Sequence, residues 1–371
     1  MNNSKESLYW YWLYNIEGIG LESIKKLLAI YETPEQIFHN ISLDHLNSLR
    51  ISKKSIDHLL NSRNLDIASR SYHHLLQKGI RVITFADKEY PKKLKNIYNP
   101  PGVLYVRGKL PREDVPSIAI VGARDCSNYG RELAIYFAKE LSKQGIQIIS
   151  GLARGIDRFA HEGALLLDGG TYGVLGCGID ICYPKENINL YMDILDSGGI
   201  LSEYNLGYRP LQGNFPMRNR IISGLSDGIL LVEAREKSGS LITMELGLEQ
   251  GKNIYACPGR IFDSLSYGTN HIIQQGGKLV LTPRDILEDY DFCQDATGKK
   301  LKKNNYMLER EEKIVYDRLS LMPKHMEDIM NETSITVNRL SEILFELQLK
   351  GIIKQTGGNY FSCLLTTEDR E

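Results

Sequence analysis

The sequence predicts an α/β protein. A parallel sheet occupies the middle, a small helical domain precedes it, and three helices with a hairpin follow. Three observations carry this reading. Residues 118–157 read IAIVGARDCSNYGRELAIYFAKELSKQGIQIISGLARGID, which is apolar run, glycine loop, helical spacing, apolar run, glycine loop and helix start. Short apolar runs recur at 172–175, 200–204, 228–232, 253–256 and 278–281, each handing over to a polar or glycine loop. The two ends of the chain lack that alternation and read as helices, with one glycine-turn hairpin near the end. Strand, loop and helix in repetition make a parallel sheet.

In chain order, residues 1–64 form the helical domain. Residues 8–14 are a helical run rich in aromatics. Glu17-Gly18-Ile19-Gly20 is a tight turn, and residues 21–30 resume a helix. Such a turn turns backbone N–H groups outward, as in helix-hairpin-helix modules that grip DNA phosphates, or it simply joins two packed helices. Trp10 and Trp12 cannot share one helical face, so one is exposed or meets the next part of the chain. Residues 65–116 are a connecting segment packed on the core, with a helix at 68–78 and strands at 80–85 and 103–106.

Residues 117–290 are the sheet domain. The run 118–121 suits a strand buried on both faces. Leu133, Phe137 and Leu141, with Ala134 and Ala138 beside them, space a helix over 129–143. Gly145 stops it, a strand follows at 146–150, and Gly151 to Gly155 loops into a helix at Asp157. Phe215 to Arg220 opens another helix, with Pro216 near its first turn. Ser238-Gly239-Ser240 leads into a helix at 241–250. Residues 291–305 are a basic linker containing Lys299, Lys300, Lys302 and Lys303. Residues 306–371 give helices at 309–319, 326–330 and within 333–350, then a hairpin at 352–361. That is a winged-helix pattern, whose third helix often enters the major groove. Here Arg339 and Lys350 are offset by Glu332, Glu342 and Glu346, so protein contact competes with DNA as its role.

Composition bounds the function loosely. The chain has 371 residues, 42% hydrophobic and 25% charged, with a formal net charge of −1. Any basic surface must therefore be local. The six cysteines form no C-x-x-C pair, which points to reduced thiols, a cytoplasmic location and no metal site. No signal peptide pattern and no membrane-spanning run stands in the sequence. No cofactor is expected either. The first loop has Arg124 where a dinucleotide fingerprint needs its second glycine, and the second strand ends without an acid for a ribose.

The loops themselves suit phosphate. A loop from a parallel strand into a helix exposes N–H groups, and the helix adds partial positive charge. The loops at Gly122, Gly151, Gly176 and Ser238 should share one edge of the sheet. Arg124, Arg154, Lys185, Arg218 and Arg220 sit in or beside such loops. Several in line fit a backbone of repeated phosphates. Tyr129, Tyr183 and Phe215 lie near enough in sequence to stack bases, although each also suits a core. Arg124 fits either a phosphate diester or a brace for its own loop.

These motifs closely resemble the DNA-processing protein A family. The matching stretches are Val121-Gly122-Ala123-Arg124, Ser150-Gly151-Leu152-Ala153-Arg154-Gly155-Ile156-Asp157, Tyr183-Pro184-Lys185-Glu186-Asn187, Phe215-Pro216-Met217-Arg218-Asn219-Arg220 and Ser238-Gly239-Ser240. The helical start is similar to the family's sterile-alpha-motif-like domain, and the end to its winged helix. The resemblance implies an extended Rossmann-type core that binds single-stranded DNA. It also implies loading of the recombinase RecA during natural transformation, without catalytic turnover. Carried over to this chain, the DNA-binding residues are Gly122, Arg124, Ser150, Gly151, Arg154, Gly155, Lys185, Asn187, Phe215, Arg218, Asn219, Arg220, Ser238 and Ser240. It further implies a homodimer through the last helix and strand, with Ile272, Ile273, Leu279 and Leu281 at the interface. A last strand is an edge that needs cover. Against the family, Tyr172 stands at an aliphatic position and Asn205 where proline is common.

A second class is an enzyme. Ser240 to Glu245 resembles the loop of lysine-decarboxylase-like phosphoribohydrolases, in which a carboxylate works on a bound nucleotide. Glu245 is the candidate acid, without a second acid or base in a supporting position. His161 and Cys177 suit packing better than catalysis. A third class, a nucleotide-sensing scaffold, would bind a mononucleotide and no nucleic acid.

Overall fold

The computed structural model describes residues 5–43, 46, 49, 51–167, 169–290, 310–319, 324–333, 335–350, 352–357 and 359–363. The basic linker at 291–305 lies outside the described residues. The chain divides into two compact units, Met1–Ala296 and Thr297–Glu371.

The first unit is built on a nine-stranded sheet. Its strands are β1 (Arg81–Thr84), β2 (Val103–Gly108), β3 (Ser117–Val121), β4 (Gln147–Ser150), β5 (Thr171–Leu175), β6 (Gly199–Ser202), β7 (Gly228–Leu231), β8 (Asn253–Ala256) and β9 (Lys278–Leu279). Their spatial order is β1-β2-β6-β5-β4-β3-β7-β8-β9. From β6 to β9 all neighbours are parallel. Every residue of β3 to β7 is buried, which is why these strands read as continuous apolar runs. Helix Asn128–Lys143 covers one face through Phe137, Ala138 and Leu141. Helix Asn214–Leu225 covers the other through Ile221, Ile222 and Leu225. The chain winds outward from β3 to β6, then returns to β7 on the other side of β3. Such a reversal opens a crevice at the carboxyl ends of the two central strands.

Residues 65–116 do more than pack on this core. They supply β1 and β2, which extend the sheet antiparallel to β6, with Tyr105 opposite Ser202. Residues 1–64 also share the core: Tyr11, Trp12, Leu13 and Leu27 cluster with Leu175, Ile194 and Ile200. Gly102 lets the two parts approach closely, since a Cβ there would fall 2.0 Å from the Tyr14 ring. Trp12 is buried and donates to the Ser62 carbonyl at 2.8 Å. Trp10 meets the next segment, its ring 5.7 Å from that of Phe85. The Gly18 turn packs inward, its carbonyl accepting from Ser55 Oγ at 2.8 Å.

Two strands end two residues earlier than expected. The strand expected over 200–204 ends at Ser202 because the Glu203 side chain turns in to Arg220. The strand expected over 278–281 ends at Leu279 because the N–H groups of Leu281 and Thr282 go to Asp285, at 2.7 and 2.8 Å. Helix Ile188–Ser197 was not expected.

The second unit has helices Arg310–Tyr316, Met326–Thr333 and Val337–Leu349. Strands β10 (Lys324–His325), β11 (Ile353–Gly357) and β12 (Tyr360–Cys363) pair in the order β10-β12-β11. Leu340, Ile343, Leu344 and Leu347 form one buried face against Val315, Ile329 and Phe361. This is a winged helix.

Candidate nucleic-acid interface

The crevice between the ends of β3 and β7 is a cavity of about 690 Å³. Gly122 to Asp125 line it from the loop after β3, and Ala153 and Asp157 from the loop after β4. Phe215, Arg218 and Asn219 line it from the start of their helix, and Arg235 with Lys237 to Ser240 from the loop after β7. The Gly176 loop is tied in from behind, its carbonyl accepting from Asn214 Nδ2 at 3.0 Å.

Besides helix Asn214–Leu225, three helices begin at or beside this crevice, and their N-termini differ. At helix Asn128–Lys143 the anion site is filled by the protein. Glu233, buried at the end of β7, accepts from the Ser127 N–H at 2.9 Å and the Ser127 hydroxyl at 2.5 Å. A Cβ at Gly130 would lie 2.2 Å from that carboxylate. At helix Ile156–Leu165 the carboxylate of Asp157 accepts from the Gly151 N–H at 3.1 Å. Burial raises the Asp157 pKa, and the adjacent Arg218 opposes that rise. Helix Gly239–Glu249 is different. Ser238 caps it weakly, accepting from Ser240 N–H at 3.4 Å, and Gly239, Arg235 and Lys237 are exposed. Of the three, this is the N-terminus with no carboxylate among its hydrogen-bond partners.

Beside it stands a ladder of flat groups. The Arg124 guanidinium lies 5.5 Å from the Phe215 ring centroid. On Phe215 stacks Tyr183, with centroids 5.6 Å apart and planes 29° apart. Arg124 and Tyr183 are exposed, Phe215 half-buried. Such a ladder offers a π-face and a charge to an unstacked base.

The expected DNA-binding residues therefore fall into groups. Arg124, Phe215, Asn219, Ser238 and Ser240 line the cavity with Gly122. Arg218 also lines it but is only 4% exposed. Its guanidinium donates to the Gly151 carbonyl at 2.7 Å and to the Val174 carbonyl. It braces two loops, which corrects the expectation of a free phosphate-binding arginine. Arg220 is corrected more fully: it is buried, does not line the cavity and pairs with half-buried Glu203. Ser150 is buried and its hydroxyl donates to Ile120 O at 2.7 Å. Gly151 is buried, and a Cβ there would strike Arg218 and Asp157 at 2.6 Å. Gly155 has φ +69° beneath the first loop. Asn187 is buried and donates to the carbonyls of Leu152 and Ala153 at 3.0 and 3.2 Å. These four shape loops rather than face the cavity. Arg154 is exposed and pairs with Glu186, and Lys185 is exposed on the turn Lys185–Asn187 outside the cavity lining. Arg235, Lys237 and Glu233 were not singled out from the sequence. The first two had the signal of loop position after an apolar strand.

The enzyme candidates lie elsewhere. Glu245 is exposed on its helix and does not line the cavity. His161 is buried, its Nδ1 2.7 Å from Thr171 Oγ1, and burial pushes its pKa down to about 3. Cys177 is buried, with its thiol pushed up to about 11. Among the described residues no three His, Cys, Asp or Glu side chains gather as a metal site, and no helix is long and apolar enough to cross a membrane. At the expected dimer surface, β9 is the edge strand, with Leu279 and Leu281 exposed. Ile272 is corrected: it is buried in the core, and Ile273 packs partly against the same cluster.

Known proteins share this arrangement. The family described as DNA recombination-mediator protein A matches residues 81–291, and the DprA winged helix domain matches residues 302–359. DNA processing protein DprA of Streptococcus pneumoniae is 37% identical over 290 residues, 76% of this chain and 98% of that protein. Its namesake from Bacillus subtilis is 41% identical over 214 residues, 57% of this chain and 72% of that protein. The X-ray structure of the S. pneumoniae protein superposes with a TM-score of 0.63 at 32% identity, covering 78% of this chain and 99% of that one. A Helicobacter pylori DNA processing protein A, whose structure is described by its single-stranded DNA binding mode, gives a TM-score of 0.52 at 31% identity. There the coverage is 57% of this chain and 95% of that one. With its sheet, its loops and its winged helix matched in order, the chain belongs to the DNA recombination-mediator protein A family.

Proposed function

We propose that the cavity at the β3–β7 crevice holds single-stranded DNA, with little preference for sequence. The observation that carries this reading is the pairing of an open helix N-terminus at Gly239 with the Arg124–Phe215–Tyr183 ladder. The first takes a phosphate and the second takes a base, so a nucleotide unit of a strand satisfies both. A duplex keeps its bases stacked and presents none to the ladder. The H. pylori relative, described by its single-stranded DNA binding mode, agrees with this. The protein acts by binding rather than turnover, in the cytoplasm, during natural transformation and recombination. Two copies pair at the β9 edge through Leu279 and Leu281, and the paired DNA paths load RecA.

Gel-shift titration at two salt concentrations tests the reading. Single-stranded oligonucleotide should bind tighter than duplex, and affinity should fall steeply with salt as counterions are released. Equal or tighter duplex binding, or salt-independent binding, would overturn it. Light scattering tests the pairing. The native chain should be a dimer, and Leu279→Glu with Leu281→Glu should give a monomer that still binds a short oligonucleotide but no longer stimulates RecA filament growth.

A further inference from the structure

The winged helix carries an exposed apolar face outside its own core. On helix Val337–Leu349 the residues Val337, Ser341, Phe345 and Leu349 stand four apart, so they form one ridge. Val337 is 53% exposed, Phe345 60% and Leu349 73%. The opposite face of the same helix, Leu340 to Leu347, is the core of the unit. Apolar residues therefore occupy both sides of a helix that needs only one for folding.

The charges beside the ridge narrow what can cover it. The neighbouring row is Asn338, Glu342 and Glu346, all exposed. The cations of this helix are already engaged. Arg339 is shared between Glu342 and Glu311, both at 2.9 Å, and Lys350 pairs with Glu312 at 2.5 Å. One arginine against two glutamates leaves the rim net negative. A DNA phosphate backbone is repelled by it. A second copy pairing antiparallel along the ridge would bring the two glutamate rows together on the same side. A helix with an apolar stripe flanked by lysine or arginine meets both rows favourably.

We infer that this ridge is a docking surface for a basic amphipathic helix of a partner protein. The recognition helix of the winged fold is thus turned from nucleic acid to protein. The binding mode is helix against helix, with Phe345 as the central apolar anchor and Glu346 as the charge that selects the partner.

The experiment uses the full chain and two labelled helical peptides with leucines four apart. One carries lysines beside the leucines, the other glutamates. Fluorescence anisotropy should show the lysine peptide binding tighter by on the order of tenfold or more. Phe345→Glu should abolish that binding while circular dichroism and binding of single-stranded DNA stay unchanged, since Phe345 is exposed. Glu346→Lys should narrow or reverse the preference. Equal binding of both peptides, no binding, or binding untouched by Phe345→Glu would overturn the proposal. So would a Phe345→Glu variant that loses DNA affinity, which would make the ridge a nucleic-acid surface. A variant that loses mass in sedimentation while the lysine peptide fails to bind would make it a contact between copies.

Discussion

Two loops of this protein begin alike in sequence and end differently in chemistry. The loop after β3 and the loop after β7 both leave an apolar strand, both approach a helix N-terminus, and both line the same crevice. The first is closed by Glu233, whose carboxylate accepts from the N–H and hydroxyl of Ser127, the N-cap of the helix that follows. The second is left open, with Arg235, Lys237 and Gly239 toward solvent. A glycine loop at the right end of a parallel strand is therefore not evidence for a ligand until its N–H partners are known. The difference also speaks against a mononucleotide site, which in a doubly wound fold would use the first loop.

The largest effect is expected at Arg218, which lines the same crevice and ties Gly151 to Val174. Arg218→Ala removes a buried cation facing buried Asp157 and leaves two carbonyls without their donor. Losing one partner of a buried pair costs about 3–5 kcal/mol. Denaturant unfolding should show a loss of that size. A variant with native stability and weakened DNA binding would instead make Arg218 a phosphate contact.

A second test uses acid. His161 is buried on helix Ile156–Leu165 against Thr171, its pKa pushed down to about 3 from 6.5 for an ordinary histidine. A depressed pKa means that the unfolded chain binds the proton first. Its contribution is fully present above pH 6.5 and is lost as pH falls toward 3. The slope from this group approaches about 1.4 kcal/mol per pH unit. His161→Leu should flatten the unfolding free energy over that range relative to the native chain, and an unchanged slope would show that His161 is accessible.

The open loop should respond in affinity rather than stability. Lys237→Ala and Arg124→Ala should each cost about 1.5–3 kcal/mol in binding a single strand, as for a lost charge-assisted contact. Each phosphate contact removed should lower the salt slope by about 0.7. Phe215→Ala should cost about 1–3 kcal/mol with little change in that slope, because stacking releases no counterion. Titrations at several salt concentrations separate the two kinds of loss. The smallest effect belongs to the closed loop. Glu233→Gln should lower stability by about 1 kcal/mol, as for a weakened helix cap, and leave DNA affinity unchanged. Weaker DNA binding in that variant would mean that the first loop is part of the path.

Local pattern made most of the architecture legible. The runs at 118–121 and 228–232 announce strands buried on both faces, and they are. The spacing of Leu133, Phe137 and Leu141 announces helix Asn128–Lys143. The winged helix is readable because each of its parts is short and local. What stayed hidden depends on partners far away in the chain. The sequence leaves open which of Arg218 and Arg220 turns to the loop after Ser202-Glu203, and nothing near Ser127 says that Glu233 will hold it. The strand character of residues 80–85 and 103–106 was visible, but not their place in the sheet, which β6 decides. In the site, sequence position put Arg124 and Arg218 on the same edge. Burial separates them, one as a surface cation and the other as a brace.

The pairing of β2 with β6 has a consequence for how the chain is made. Tyr105 finds its neighbour at Ser202, and Leu13 and Leu27 share a cluster with Ile200. On the ribosome the amino-terminal helices emerge first, yet the surface that covers them emerges last among these elements. At roughly 5–20 residues per second the delay is on the order of ten seconds. During it the apolar faces of the first helices stay open to chaperones or to a neighbouring nascent chain. Contacts of this sequence separation also slow folding in general. A fragment that stops before β6 should be retained by holdases and prone to aggregate, whereas one that runs through Ala296 holds every strand of the sheet and should fold without the winged helix.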